Sequence, residues 1–186
     1  MIRYGIDRSD LQKLQASLRG AEKKIPRVIK NAINRTAKKA RKELAAGAQA
    51  SYTVKSGGFN SRMKVKNATM RNLSATIAVK GKTLTIGRFH TTAPRSGAKA
   101  DIKKGGLKAL KLPLGDKKDS SAFKRKGLIM QRMTGERYPV KVLRSVSVPK
   151  MLEKVYTGES GIKGALDPVI EKTLHDEIES EIRKVI

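Results

Sequence analysis

Residues 27–51 read RVIKNAINRTAKKARKELAAGAQAS, and the spacing of their apolar side chains decides the fold class. Val28, Ile29, Ala32, Ile33, Thr36, Ala37, Ala40, Leu44 and Ala48 recur every three or four residues, which gathers them on one stripe of an α-helix. The helix is expected to be the longest of the chain and to end near Gly47 or Ser51. Its opposite face holds Arg27, Lys30, Arg35, Lys38, Lys39, Arg41 and Lys42, with only Glu43 against them. A solvated surface and a polyanion contact are equally good readings of that face.

On the N-terminal side, Ser9-Asp10-Leu11-Gln12 has the Ser-x-x-Gln spacing of a helix start, and Leu11, Leu14, Leu18, Ala21 and Ile25 form a second apolar stripe. Pro26 is expected to break or kink that first helix, because it lacks an N–H and crowds the preceding turn. On the C-terminal side the period changes. Tyr52-Thr53-Val54 begins a series of short extended pieces, followed by the Gly57-Gly58 break and by Met63, Val65 and Ala68 among basic residues. Leu73, Ala75, Ile77 and Val79 alternate up to Gly81-Lys82, and Leu84 and Ile86 alternate down to Phe89, which reads as a β-hairpin.

Residues 90–126 are rich in Gly, Pro, Ser and Lys, with one short strand candidate at 98–104 and a weak apolar set at Leu107, Leu110, Leu112 and Leu114. They read as a long basic loop, and so long a loop in a compact domain usually has a function. Strands are expected again at Leu128-Ile129-Met130 and from Tyr138 to Leu143, across a turn at Thr134-Gly135. Arg137-Tyr138-Pro139 suits the start of an edge strand, since proline cannot donate within a ladder. Val148-Pro149 holds Val148 extended and marks a boundary. Asp167-Pro168 is a capped start with proline in the first turn, and Val169, Ile170, Leu174, Ile178, Ile182 and Val185 form the stripe of a last helix.

The order helix, helix, strands, helix argues for an α+β fold with an antiparallel sheet. One domain over residues 1–186 is expected: a helical region at 9–50, a β-rich region at 52–149 containing the basic loop 90–126, and a C-terminal amphipathic helix at 167–186.

The 42 Lys and Arg against 16 Asp and Glu give a net charge of +26, far from what suits an ordinary soluble domain. Residues 1–150 hold 37 basic and 8 acidic side chains, a net of +29; residues 151–186 hold 5 and 8, a net of −3. The last helix carries six of those acids: Asp167, Glu171, Asp176, Glu177, Glu179 and Glu181. They serve solubility and helix-start electrostatics, or else they pair with the basic helix of the same or a neighbouring subunit. With no cysteine, disulfides and thiolate metal sites are excluded. No apolar run approaches the ~18 residues of a membrane span, and Met1 to Asp10 is too polar for a secretory signal, so no membrane partner is expected.

Catalytic chemistry finds little support. His90 and His175 are the only imidazoles, they share no ligand spacing, and His175 and Asp176 are helix neighbours that point to different faces. Gly105-Gly106-Leu107-Lys108 lacks the spacing of a phosphate loop. No catalytic, cofactor or metal residue is therefore assigned. The cations favour sequence-independent contact with DNA through counterion release. Seven aromatic residues, 4% of the chain, are too few for a single-strand stacking platform.

The stretch AINRTAKKAR at 32–41 resembles the ALNRTA…AR signature near the start of bacteriophage minor tail protein Z sequences. KNATMRNLSATIAVKGKTLTIGRF at 66–89, KADIKKGG at 99–106 and GLIMQRMTGERYPVKVLRSVSVPKML at 127–152 resemble later blocks of that family in the same order. The resemblance spans about residues 30–152. It departs at Ser145-Val146, where the family often has Gly-Pro, and at 111–126, which lacks the usual Phe-containing segment. Structural roles are expected for Asn34, Arg35, Thr36, Arg132, Arg137, Pro139, Ser147 and Pro149.

The resemblance implies a structural, non-enzymatic tail-completion protein at the head-proximal end of the tail, assembled in the host cytoplasm into the virion. It implies a ring, hexameric by the tail's symmetry, touching tail terminator and tail tube or neck proteins. Lys and Arg of the 27–42 helix, or Lys99, Lys103, Lys104, Lys117, Lys118, Lys124, Arg125 and Lys126 of the basic loop, would then face double-stranded DNA in the channel or acidic surfaces of those partners. A basic nucleic-acid-binding accessory protein outside any virion is the other reading of the same charge.

Overall fold

The computed structural model describes residues 2–4, 12, 16, 22–55, 59–112, 120–158 and 166–184. Gln12 and Ala16 are helical, but Leu11, Leu14, Leu18 and Ala21 of the expected first stripe, the Gly57-Gly58 break, Leu114, Lys117, Lys118 and Val185 lie outside the described residues. The fold is α+β, with antiparallel strand pairs and three α-helices among the described residues.

Helix α1 runs Ile25–Ser51, 27 residues, or about 40 Å at 1.5 Å per residue. A 3-10 turn at Glu22–Lys24 leads into it, and Pro26 stands in its first turn, where a missing N–H costs nothing. It ends where Tyr52 turns extended (φ −124°, ψ 146°) and donates its N–H to the Ala48 carbonyl. The Tyr52 ring is buried beside that of Phe59, centroids 6.3 Å apart.

One sheet has the order β1-β3-β2, from β1 (Ile2–Tyr4), β2 (Met63–Lys66) and β3 (Ala75–Val79). Strand β3 is central, pairing Ile77 with both Ile2 and Val65. The hairpin expected between residues 73–79 and 84–89 does not form. Both edges of β3 are taken, so the chain after Gly81 leaves the sheet, and β4 (Thr83–Thr85) pairs instead with β13 (Arg144–Ser147). Ile86–Arg88 is a 3-10 turn.

The region read as a long loop is built. Beyond β5 (His90–Thr92), β6 (Lys99–Asp101) and β7 (Lys108–Ala109) come β8 (Lys111–Leu112), β9 (Ser120–Ser121) and β10 (Phe123–Arg125). Leu110 N–H donates to the Ala98 carbonyl (3.0 Å), Ala122 N–H to Leu110 (3.0 Å) and Ala98 N–H to Ala122 (2.6 Å), so three segments close on one another. Strands β11 (Leu128–Arg132) and β12 (Val140–Val142) extend the lobe from β10, with β12 at the edge directly after Pro139. Its core is Ile86, Ala98, Ala100, Ala122 and Ile129. Strands of two or three residues show almost no alternation, and a core made largely of alanine gives little hydropathy signal, which is why the segment resembles a loop.

Helix α2 (Val148–Thr157) is a second departure: Val148-Pro149 opens a helix and does more than end a strand. Ser147 caps it, accepting from Lys150 N–H (3.4 Å), with Pro149 in the first turn and Gly158 closing it at φ 70°. Helix α3 (Asp167–Ile182) follows. Ile170, Leu174 and Ile178 of its stripe are buried, whereas Val169 is 46% exposed.

The two ends of α1 serve different partners. Val28, Ile29, Ala32, Ile33 and Ala37 pack with Leu174 and Ile178 of α3 and with Ala68 and Ala75. Ala40, Leu44, Ala45 and Ala48 pack with Met151, Leu152 and Val155 of α2 and with Phe59, Met63, Ile77 and Phe89. The stripe of small and branched residues on one face of α1 thus organises both cores.

Candidate functional site

The outer face of α1 divides into cations with internal partners and cations without. Arg35 reaches Glu181 at 2.7 Å and Glu177 at 3.8 Å, and Lys39 pairs with Glu177. Both carboxylates are on α3 and nearly buried, at 7% and 5% exposure for Glu177 and Glu181. Arg41 donates to the Asn60 carbonyl at 2.9 Å. Arg27, Lys38 and Lys42 are exposed, Lys30 is half-buried, and none of the four forms an ion pair among the described residues. Pairing of the acidic helix with the basic one therefore occurs within the subunit.

Glu181 is the centre of that contact, accepting from Asn31 Nδ2 (3.0 Å), Arg35 Nη1 (2.7 Å) and Lys184 Nζ (2.6 Å). Burial alone would raise its pKa. The bonds from Lys184 and Asn31 and the charges of Arg35 and Lys184 outweigh burial and hold the carboxyl below its ordinary value.

The neighbouring motif residues make contacts inside the subunit. Asn34 clamps a single backbone unit: its Nδ2 donates to the Ala68 carbonyl (3.1 Å) and its Oδ1 accepts from Ala68 N–H (2.7 Å). An amide side chain here completes the pairing of a buried segment just beyond β2. Thr36 is fully buried in the helix stripe. Asn34, Arg35 and Thr36 thus hold the sheet, α3 and the core to three sides of one helical turn.

The β-lobe presents its cations outward. Lys124 and Arg125 lie on β10 and Lys126 in the two-residue turn to β11, where Lys126 (φ 47°) and Gly127 (φ 76°) both adopt the left-handed conformation that such a tight hairpin needs. Lys99 is on β6, and Lys103 and Lys104 are in the bend after it, which is closed by Gly105 N–H to Asp101 Oδ1 (3.1 Å). All six are exposed. Arg132 ends β11 opposite Val140. Arg137 is 6.0 Å from the centroid of the exposed Tyr138 ring, and the Pro139 carbonyl accepts from Met133 N–H (3.0 Å) to close the 133–139 loop.

One charged feature escaped the sequence reading. A groove of about 830 Å³ opens between the end of the β2–β3 ladder and β4, lined by Arg62, Lys64, Lys80 and Lys82 over Val79, Leu84 and Pro149, with no acid in its wall. These cations are scattered singly along the chain, and only the strand register collects them. A signal did exist: between Glu43 and Asp101 the sequence has ten Lys and Arg and no acid at all. Ser147-Val-Pro was likewise a readable cap-and-proline start for α2.

Among the described residues no three His, Asp or Glu side chains come together to hold a metal, and no helix is long and apolar enough to cross a membrane. Comparisons with curated proteins and with solved structures returned no match. The family model described as prophage minor tail protein Z (GPZ) matches residues 9–186, which extends the motif blocks at 30–152 in both directions. The chain accordingly belongs to the prophage minor tail protein Z family, structural proteins of bacteriophage tails that are not known as enzymes.

Proposed function

We propose that this chain acts as a single tail-completion domain at the head-proximal end of the tail, where copies form a ring, hexameric to match the tail. The ring joins tail terminator and tube or neck proteins and assists head–tail joining, with its open cations facing double-stranded DNA in the channel. The subunit is made in the host cytoplasm and ends in the virion. The observation that supports this most is the partition of charge. Two cations of α1 are neutralised by buried carboxylates, while Arg27, Lys30, Lys38, Lys42 and the β-lobe cations Lys99, Lys103, Lys104, Lys124, Arg125 and Lys126 have no ion-pair partner among the described residues. Charge left open in this way, in a tail protein, is matched by a polyanion passing close by.

Reversing Lys38→Glu with Lys42→Glu removes charge without touching the contacts to α3. Particles carrying this variant are expected to complete their tails but to position or retain DNA poorly at the joint. Normal DNA retention and normal infectivity in assembled particles would refute the channel assignment.

A further inference from the structure

The end of the β2–β3 pair brings two like charges into one groove. Met63 opposes Val79 and Lys64 opposes Ala78, and just beyond the ladder Lys80 N–H donates at 3.0 Å to the carbonyl of Arg62, the last residue of the 3-10 turn Asn60–Arg62 that leads into β2. Both side chains line one groove, and like charges gathered there repel one another. Lys64, two residues along β2, and Lys82, two residues beyond Lys80, add to the same groove. Solubility or protection of a sheet edge needs only Lys64 and Lys66, both exposed on β2. It does not need a second cation in the groove with Arg62.

The scaffold beneath these cations is fixed. A Cβ added at Gly81 would meet Val148 Cβ at 3.1 Å, so the chain between Lys80 and Lys82 lies tight against the start of α2. Thr83 is then paired with Ser147. The backbone is held where the four charges repel one another, an arrangement that a row of phosphates would stabilise.

We propose that this groove is a second DNA-contact surface, distinct from the outer face of α1, in which Arg62, Lys64, Lys80 and Lys82 track the phosphate backbone of double-stranded DNA irrespective of sequence. This rests on the reading that the protein meets DNA, and adds where. The absence of any aromatic residue from the groove wall favours backbone tracking over base stacking.

The test is fluorescence anisotropy of the full chain with a labelled DNA duplex across a salt series, comparing wild type with the double variant Arg62→Gln, Lys80→Gln. Each lost phosphate contact lowers the slope of log K against log salt by about 0.9. The double variant should therefore bind with a slope shallower by about 2 and with affinity at 0.1 M salt reduced roughly fifty-fold. The charge-preserving exchange Arg62→Lys, Lys80→Arg should keep the wild-type slope. With the repulsion removed, the Gln variant should also melt higher than wild type in low salt without DNA, which separates lost contact from lost fold. Wild type and double variant binding with the same slope would overturn the groove and leave the α1 surface standing. Wild type failing to bind DNA at all would overturn both.

Discussion

The Asn34 clamp offers a sharp test of how α1 is tied to the sheet. Ala68 is 4% exposed, so its N–H and carbonyl cannot turn to bulk water if the side chain that pairs them is removed. Leaving a buried polar group unpaired costs about 1–3 kcal/mol. Asn34→Ala orphans two, and because Asn34 is only half-buried a water molecule can recover part of the loss, giving about 3 kcal/mol. For a chain of this size that lowers Tm by roughly 6–12 °C, followed by far-ultraviolet circular dichroism. Asn34→Asp refines the test. Its carboxylate still accepts from Ala68 N–H but leaves the Ala68 carbonyl facing an acceptor, so at neutral pH it too should melt below wild type. An alanine variant within about 0.5 kcal/mol of wild type, the range of surface substitutions without such contacts, would refute the reasoning.

Glu181→Gln should cost about 1–3 kcal/mol at neutral pH, because the amide has one acceptor oxygen for Arg35 and Lys184, without charge assistance, and turns an NH2 donor towards the Asn31 donor. Because the Glu181 pKa is lowered in the folded protein, its contribution is complete above the ordinary carboxyl range and is lost as pH falls through the folded value. Urea melts of wild type and variant should therefore draw together as pH falls below the ordinary carboxyl range, and a gap that does not narrow there would sink the assignment. Gly97→Ala probes the β-lobe: Gly97 has φ +123°, and an added Cβ would sit 2.9 Å from Ser121 Cβ. Strain and overpacking together should cost about 2–4 kcal/mol, whereas a thermally neutral Gly97→Ala would mean that residues 98–125 are the loop their composition resembles.

Legibility in the sequence followed the length of each element. A 27-residue helix repeats its period seven times, so α1 was readable to within a few residues, and α3 was announced by Asp167-Pro168 and its spaced isoleucines. The β-lobe was not, because two-residue strands such as Lys108–Ala109 and Lys111–Leu112 have no period to detect. Strand partners were harder still. The alternation from Leu73 to Phe89 is the same whether its halves pair with each other or, as here, with β1, β2 and β13. Pairing depends on which edges are already taken, and that is a long-range fact. The basic face of α1 was visible as a list of charges, but which of them remain open depended on where α3 docks, 140 residues later.

That docking also decides what the rest of the charge can do. The acid-rich end of the chain could in principle have served as a counterweight for the whole molecule. Its two buried carboxylates are instead engaged by Arg35 and Lys39, and on the exposed side Glu171, Asp176 and Glu179 share the surface with Lys172 and Arg183, the last already 3.7 Å from Glu179. A helix so nearly balanced has little negative charge to lend. Most of the ten cations between Glu43 and Asp101 therefore lie far in sequence from any acid and find little surplus acid on α3. Mobile anions can meet that demand in dilute solution, but each anion localised there loses translational freedom. A polyanion supplies many charges while immobilising one molecule, and it returns the mobile ions to bulk. The fold thus uses two of its acids, Glu177 and Glu181, to fix helix against helix, and has little acid left over for the cations of its sheet and β-lobe.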